Sequence, residues 1–148
     1  MKYVFAAVAI LLVSPAFAQD STLGRLQTDE DWHKQGVKIH EATRHVISGK
    51  SIILYFEHAL DSNCTQGEFD ARILKYPEHG TIELVPATGR ANFPKENIRS
   101  KCNGQKVKGI NIIYKSSPKY AGPDTAYVMT FAESGFAVET RWKLNVVR

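Results

Sequence analysis

The chain has 148 residues, with 19 basic and 15 acidic side chains and a formal net charge of +4. This length is enough for one ordinary domain with a substantial hydrophobic core. The small positive charge indicates no partner by itself, and the most basic stretch contains only one interleaved aromatic residue, Phe93, which argues against a stacking surface for nucleic acid.

The first residues have the pattern of a secretory signal peptide. A basic start at Lys2 precedes an apolar run at residues 4–13, and residues 16–18 read Ala-Phe-Ala, an Ala-x-Ala cleavage site. The run is about half as long as a membrane-spanning helix, so we expect no stable membrane insertion after removal of the signal. We therefore expect a periplasmic or secreted protein. The predicted divisions are a signal peptide at residues 1–18, a polar leader at 19–35 and one domain at 36–148.

Short apolar runs separated by turn residues follow in the mature chain. Residues 51–60 are rich in β-branched and aromatic side chains, as in a buried strand. Residues 81–85 and 136–147 alternate apolar and polar side chains with period two. Residues 133–135, Glu-Ser-Gly, have the length and final glycine of a tight hairpin. The predicted strands are residues 37–47, 51–60, 69–76, 81–85, 106–115, 125–131 and 136–147, with a long connection at 86–105.

Seven short strands with little helical periodicity and no βαβ spacing predict an all-β fold. The regular turn signals favour a single antiparallel immunoglobulin-like β-sandwich.

Cys64 and Cys102 are the two cysteines of the chain. In an oxidising compartment an even count is most simply explained by one disulfide. The two residues are too far apart for a Cys-x-x-Cys redox motif, and a zinc site would need further ligands at short spacing. We predict a structural Cys64–Cys102 bond that closes a loop of about 38 residues and stabilises the fold by about 4 kcal/mol.

Basic side chains gather around Cys102, opposed only by Glu96. Long loops often carry binding sites, and a basic loop could hold an acidic glycan, a lipid phosphate or another anion. The alternative is a solvated loop that only aids solubility. The candidate binding residues are Arg90, Lys95, Arg99, Lys101, Lys106 and Lys108.

A strand, a corner and a second strand occupy residues 114–128. Gly122 can permit a tight bend, Asp124 can accept hydrogen bonds from backbone N–H groups, and Tyr120 can pack beneath the bend with its hydroxyl bonded to the chain. Each of these roles is structural. The predicted structural corner consists of His79, Gly80, Tyr114, Tyr120, Gly122 and Asp124.

Together with the Pro-Glu-His-Gly-Thr hairpin at residues 77–81, this corner resembles bacterial immunoglobulin-like and cadherin-like domains. Those domains show a Pro-x-His-Gly-Thr hairpin, a strand ending in Tyr, and Pro and an aromatic residue before Gly-x-Asp. The matching positions are His79, Gly80, Tyr114, Pro118, Tyr120, Gly122 and Asp124, whereas Ala126 and Val128 stand where the family usually has aromatic residues. The resemblance covers about half of the chain and implies a fold without defining an activity.

Metal and cofactor chemistry is not predicted. Calcium, which some cadherin-like proteins bind, needs several convergent oxygens, and Asp124 has no Asp-x-Asp or Asp-x-Asn neighbour. His40 and His45 are five residues apart, where the zinc-protease motif needs four. No phosphate-cradling glycine loop or Gly-x-Ser-x-Gly elbow is present.

No catalytic residue is predicted either. Glu57 with His58, and Glu133 with Asp124, are pairs that a sequence offers by chance. Trp32 and Trp142 could stack on sugars, but Trp142 lies on an alternating strand, where a core position fits it better.

Two classes of function remain. The first is a non-enzymatic binding or structural module of the bacterial cell envelope, in contact with an envelope protein or an acidic glycan through the basic loop. The alternative is a small periplasmic hydrolase or an inhibitor-like protein with a scattered site. A concave pocket with converging His and carboxylate groups would favour the enzyme, and a smooth sandwich with one basic end would favour the module.

Overall fold

A computed structural model describes residues 36–133 and 135–148 of the protein. The predicted signal peptide, the predicted leader with Trp32, and Ser134 of the predicted hairpin lie outside the described residues.

Within the described residues, seven strands form two stacked sheets, which confirms the predicted all-β immunoglobulin-like sandwich. The strands are β1 (Lys38–Ile47), β2 (Ser51–Glu57), β3 (Phe69–Lys75), β4 (Gly80–Arg90), β5 (Lys106–Ser116), β6 (Gly122–Ala132) and β7 (Ala137–Val147), with a short 3-10 helix at Ile98–Cys102. The first sheet has the order β1-β7-β6-β3 and the second has the order β2-β5-β4.

One strand pair departs from the predicted antiparallel arrangement. β1 runs parallel to β7 from the pair Lys38 and Val138 to the pair Ile47 and Val147, whereas the other strand pairs are antiparallel. The turn at residues 48–50 sends the chain from β1 into β2 of the opposite sheet. Because β1 is not joined to β7 by a hairpin, the two strands can run in the same direction.

Two strands are longer than predicted. The prediction that β4 ends at residue 85 is wrong, because the strand continues through Pro86 to Arg90. β4 is an edge strand, so the missing N–H of Pro86 can face away from the ladder with β5. β6 begins at Gly122, and its first residues already pair with β7. The long connection therefore shrinks to residues 91–105.

The main core lies between the two sheets. Trp142, Leu144 and Val146 of β7 are buried and alternate with exposed neighbours, as the sequence pattern predicts. A large apolar side chain contributes about 1.5–3 kcal/mol when it is fully buried. The other buried members of this core are Val46, Leu54, Ala71, Ile82, Ile112, Tyr114, Ala126 and Val128.

The strand directions divide the connections between two ends of the sandwich. The corner end carries the connections at residues 48–50, 76–79 and 117–121, and the loop end carries those at 58–68, 91–105 and 133–136.

Asp124 joins several segments at the corner end. Its carboxylate accepts hydrogen bonds from the backbone N–H groups of Glu78 and His79, both at 3.0 Å, and of Thr125 at 2.9 Å. The hydroxyl of Tyr114 donates to the same carboxylate at 2.9 Å. Asp124 therefore connects the turn at residues 76–79 to β5 and β6. The sequence predicted a hairpin here, and that is wrong, because the turn crosses from β3 of one sheet to β4 of the other.

The remaining corner residues pack around this network. The hydroxyl of Tyr120 donates to the carbonyl oxygen of Pro123 at 2.6 Å, and its ring stacks on His79 with centroids 3.9 Å apart. Gly122 has a φ of 146°, a conformation that favours glycine. The two tyrosine hydroxyls and the Asp124 carboxylate thus each have a hydrogen-bond partner within the corner.

A second apolar cluster covers the outer face of the β2-β5-β4 sheet at the loop end. Val107 of β5 belongs to this cluster, since it faces away from the core residue Ile112 in the alternating strand. The predicted disulfide is confirmed, with Cα atoms 5.4 Å apart, and it joins the connections at 58–68 and 91–105. The buried cluster residues are Leu60, Ala91, Cys102 and Val107, packed with Phe56, Cys64 and Phe93.

Candidate ligand-binding cleft

A cleft of about 1330 Å³ opens between the two sheets at the loop end. Small-molecule sites usually have volumes of roughly 300–1,000 Å³, so this cleft could hold a ligand of considerable length. Strand residues of both sheets form its walls, and the three loop-end connections surround its mouth. The wall residues include Ala42, Glu57, Ile112, Thr130, Thr140 and Trp142.

Small side chains leave this space between the sheets. Ala42 of β1, Thr130 of β6 and Thr140 of β7 line the cleft on the first sheet, where larger residues such as Trp142 and Leu144 fill the core further toward the corner end. The inner faces of two packed sheets are about 10 Å apart and need interdigitating side chains to fill the gap. Short side chains at these positions therefore leave a cleft.

A β-bulge in β2 directs polar side chains into the cleft. Ile53 pairs with Ile113, but Tyr55 pairs with Ile112, so Leu54 is inserted and the register shifts by one residue. Leu54 is buried in the core, and Tyr55 and Glu57 line the cleft. A bulge of this kind re-aims side chains that strict alternation would place elsewhere.

The same shift places Phe56 on the outer face of the second sheet, where its ring lies over two glycines. A Cβ atom at Gly89 would be 2.5 Å from the Phe56 ring, and one at Gly109 would also be 2.5 Å from it. No side chain larger than hydrogen fits beneath the ring at either position. The bulge, Phe56 and the two glycines thus fix the orientation of the end of β2.

Burial perturbs three titratable groups at this end of β2. Burial raises the pKa of Glu57 above its ordinary value. It also raises the pKa of Tyr55, to which the nearby charge of Glu57 adds, and it lowers the pKa of His58. All three shifts favour the neutral form, as expected where burial removes part of the water around a titratable group.

Two arginines also line the cleft. The guanidinium carbon of Arg44 lies 5.2 Å from the centre of the Trp142 ring, and this side chain donates to the carbonyl oxygen of Thr43 at 3.0 Å. Arg99 is half-buried on the 3-10 helix, whose first turn is capped by the Asn97 side chain accepting from the Arg99 N–H at 2.9 Å. A guanidinium next to apolar walls is suited to an anionic group of a ligand.

Three buried polar atoms at the cleft have no hydrogen-bond partner among the described residues. They are Nε2 of His58, Nε of Arg99 and Nε1 of Trp142. Trp142 is only 2% exposed. An unpartnered buried polar group costs about 1–3 kcal/mol, so native proteins rarely keep several together without a reason. A bound ligand could supply the missing partners.

The structure separates the six predicted basic residues. Arg99 alone among them lines the cleft. Arg90 donates to the carbonyl oxygen of Gly104 at 2.7 Å and lies at the surface. The remaining four residues are exposed and do not line the cleft; they are Lys95, Lys101, Lys106 and Lys108.

Sequence reasoning missed most of the cleft. Glu57 and His58, which looked like a chance pair, both line it, whereas Glu133 and Asp124 lie at opposite ends of the sandwich. The β-branched and aromatic run of residues 51–60 carried no sign of the bulge that turns Glu57 inward. The length of the connection predicted at residues 86–105 was the available signal, and it indicated the correct end of the molecule.

The histidines of β1 form no metal site with their neighbours. His40 lines the cleft and His45 does not, as expected for strand residues five apart that point to opposite faces. Within residues 36–133 and 135–148, no group of three or more His, Cys, Asp or Glu side chains is arranged to hold a metal ion.

Comparisons with known proteins do not define the function of the chain. No protein-family model matches the chain, and no curated protein matches it. The chain is similar to the 2,6-sialyltransferase of Photobacterium sp. JT-ISH-224, whose crystal structure contains CMP and lactose, at 13% identity and a TM-score of 0.32. The match covers 76% of this chain and 18% of that chain, and a TM-score this low carries no conclusion about function.

The fold and the cleft therefore define the class. The protein is a disulfide-bonded immunoglobulin-like β-sandwich with an open cleft between its sheets at the loop end. In the part of the chain that the structure describes, no helix has the length and apolar character needed to cross a membrane.

Proposed function

We propose that the protein is an exported, non-enzymatic binding module of the bacterial cell envelope, and that it takes an anionic envelope component into the cleft. The observation that carries the proposal is the combination of two arginines with unpartnered buried polar atoms in one cleft. Export is supported by the signal-peptide pattern and by the disulfide, which persists in oxidising compartments.

The resemblance to bacterial immunoglobulin-like and cadherin-like surface domains also supports an envelope role. The seven-strand sandwich and the hydrogen-bonded corner agree with that resemblance. In such folds, ligand contacts commonly come from loops at one end. An acidic glycan and a phosphate-bearing lipid each present an anion that Arg44 and Arg99 could hold.

The proposal moves the main contact from the exposed basic loop to the cleft. Exposed lysines add long-range attraction that salt screens, whereas partly buried arginines give directional hydrogen bonds. Arg99 belongs to both regions, since it lies in the basic loop and lines the cleft.

Removing positive charge either in the cleft or in the exposed basic loop shows which of the two binds the ligand. In Arg44→Gln/Arg99→Gln, we expect retention on immobilised oligogalacturonate and on anionic envelope extract to fall about tenfold or more, since each lost charged hydrogen bond costs about 1.5–3 kcal/mol. The matched control Lys101→Gln/Lys108→Gln removes the same charge outside the cleft, and we expect it to lose at most twofold. Equal loss in both variants would return the site to the exposed loop. Wild-type protein that is retained by neither the oligogalacturonate nor the envelope extract would refute the proposal.

A second candidate function is a small hydrolase. The favouring observation is that Glu57 and His58, with pKa values shifted by burial, line one concave cleft with Tyr55. A carboxyl group with a raised pKa can serve as a general acid. However, Nε2 of His58 has no partner among the described residues, and Nδ1 lies 3.5 Å from the carbonyl oxygen of Phe56, so no nucleophile–base pair is formed.

Product analysis tests this candidate. Chromatography of oligogalacturonate after incubation should show no new fragments if the protein only binds. Fragments that appear with the wild-type protein and disappear with Glu57→Gln, at unchanged retention, would favour the hydrolase.

A further inference from the structure

We infer that the ligand of the cleft is a single-chain anionic amphiphile, whose apolar chain lies between the sheets and whose anionic head is held by Arg44 and Arg99. This inference rests on the proposed function and narrows its ligand class.

The depth of the cleft is apolar. Its inner walls include Ala42, Ile112, Val138 and Trp142, and Ile112 and Trp142 are only 1% and 2% exposed. Ala42, Ile112 and Trp142 also pack in the core between the sheets, which a hydrated glycan chain would have no reason to enter. An alkyl chain gains free energy there for each methylene that leaves water.

The cleft also has the length that a chain requires. Val138 and Trp142 both line it and lie four residues apart on β7, a distance of about 13 Å along a strand. Aromatic side chains continue the apolar surface toward solvent, because Tyr55 at the mouth is 48% exposed and Phe136 is 54% exposed. A chain entering at the loop end would therefore meet apolar groups at the mouth and again in the depth of the cleft.

The charges at the cleft suit an anionic head. Arg44 lies against Trp142, and Arg99 has an unpartnered buried Nε. The carboxylate of Glu41 is bonded to Lys143 at 2.7 Å, and that of Asp61 accepts from the N–H groups of Asn63 and Thr65. Glu57 also lines the cleft, and burial raises its pKa. Glu68 and Glu133 are exposed at the mouth, where solvent screens them.

A chain-length series tests the inference directly. In Trp32→Phe protein, Trp142 is the remaining tryptophan, so its fluorescence reports binding of octyl, decyl and dodecyl phosphate below their micelle concentrations. We expect the dissociation constant to fall about fourfold for each added methylene, because every methylene buried contributes a constant increment of transfer free energy. Inorganic phosphate, the head alone, should bind at least a hundredfold more weakly than dodecyl phosphate.

Two variants locate the chain and the head. Thr140→Phe fills the cleft from β7 and should abolish the dependence on chain length, whereas the matched control Thr81→Phe, on the exposed face of β4 at the corner end, should leave it unchanged. Arg44→Gln should weaken dodecyl phosphate about tenfold and leave uncharged dodecyl maltoside unaffected. The series in Trp32→Phe protein stands on its own if Thr140→Phe fails to fold.

The outcomes separate this inference from the proposed function. Affinity that does not depend on chain length, or inorganic phosphate that binds as tightly as dodecyl phosphate, overturns the amphiphile. If oligogalacturonate is then still retained through Arg44 and Arg99, the proposed function stands with a glycan as its ligand. If neither the alkyl phosphates, oligogalacturonate nor the envelope extract binds, both are overturned.

Discussion

Asp124 is the residue on which most contacts of the corner end converge. It is 6% exposed and accepts from the backbone N–H groups of Glu78, His79 and Thr125 as well as from the Tyr114 hydroxyl. Burial and the Asp124 hydrogen bond both raise the pKa of Tyr114, so this hydroxyl stays protonated and donates. The corner thus depends on one carboxylate.

We therefore predict that Asp124→Ala lowers the free energy of unfolding by about 3 kcal/mol, since it leaves buried backbone N–H groups without an acceptor. Tyr114→Phe should cost about 1.5–3 kcal/mol, the range for a hydrogen bond to a charged group. Urea unfolding followed by circular dichroism measures both. Tyr120→Phe is the control, because its hydroxyl bonds to an ordinary carbonyl oxygen and should cost about 1 kcal/mol. Equal losses in the two tyrosine variants would contradict the central role of Asp124.

His58 predicts a pH dependence of stability. Burial lowers the pKa of its imidazole below the ordinary 6.5, so the folded protein binds this proton less readily than the unfolded chain does. The contribution of the neutral ring is complete above about pH 6.5 and is lost as the pH falls through the lowered pKa. In His58→Phe, which keeps an aromatic ring between Phe56 and Phe93, the urea midpoint should fall less between about pH 7 and pH 5.

The control for this prediction is His45→Phe, at an exposed position on β1, which should follow the wild-type pH profile. Glu57 acts in the opposite sense, because its raised pKa removes stability as the pH rises above the ordinary value of 4.5. Both proteins contain Glu57, so its effect cancels in the difference. Parallel profiles for wild type and His58→Phe would disprove the assignment.

The role of a single residue can be predicted from the sequence where its local chemistry leaves few alternatives. The role of Asp124 was predictable because an Asp beside Gly and Pro in a turn has few alternatives to bonding backbone N–H groups. Arg44 was not predictable as a cleft residue. Its contact with Trp142 joins residues from the first and last strands, and nothing near Arg44 in the sequence indicates it.

β2 is the strand whose structure differs most from the one that its sequence pattern predicts. Its apolar run predicted a buried strand, and the strand is present at Ser51–Glu57. The bulge after Ile53 changes which face each later residue occupies. Phe56 consequently lies over Gly89 and Gly109 rather than in the core between the sheets.

The two glycines should respond differently to a smaller side chain at position 56. In Gly89→Ala the three atoms nearest to the new Cβ all belong to the Phe56 ring, whereas a Cβ at Gly109 also meets the backbone oxygen of Glu57. Each substitution should cost about 1–3 kcal/mol by overpacking. Phe56→Leu should relieve Gly89→Ala with a coupling energy of about 1 kcal/mol, and it should relieve Gly109→Ala much less.

Double-mutant cycles of urea unfolding measure the two coupling energies. Equal rescue at both positions would show that the backbone of β2 moves to accommodate the side chain added in Gly109→Ala, contrary to the fixed orientation described for this strand.

Period-two patterns predicted the strands themselves well. The bulge could not be predicted, because no glycine, proline or polar residue marks the position of Leu54 in the sequence.

Across the whole molecule, the disulfide stabilises the end that carries the cleft. Cys64 and Cys102 are 38 residues apart and join two connections that supply His58, Phe93 and Arg99. Hydrogen bonds add to this link, since Gln105 donates to the carbonyl oxygen of Cys64 at 3.0 Å. Loss of the covalent link should therefore affect both stability and binding.

We predict that Cys64→Ala/Cys102→Ala lowers the free energy of unfolding by about 4 kcal/mol, the chain-entropy value for a loop of this length. Reduction of the wild-type protein with dithiothreitol should give the same loss, and the double variant should not respond to the reductant. Urea unfolding with and without dithiothreitol measures this, and intact mass without reductant checks the bond. Two free thiols in that mass would contradict the disulfide.

The fold class was within reach of the sequence because seven turn-bounded runs and two cysteines are local signals. The cleft could not be predicted from the sequence. It exists because small residues on β1, β6 and β7 face β2 and β5 across a gap. Whether side chains fill such a gap depends on which distant strands are stacked on each other.

The parallel pairing of β1 with β7 has a mechanical consequence. The chain enters β1 at the loop end and leaves β7 at the corner end, with the two strands side by side along their full length. Tension applied at Val37 and Arg148 would slide these strands past each other and load all rungs of their ladder together, instead of peeling the rungs one by one. Resistance to such a pull depends on the unfolding barrier rather than on equilibrium stability. A sandwich with this strand order therefore resists a pull along its length through the whole β1–β7 ladder at once.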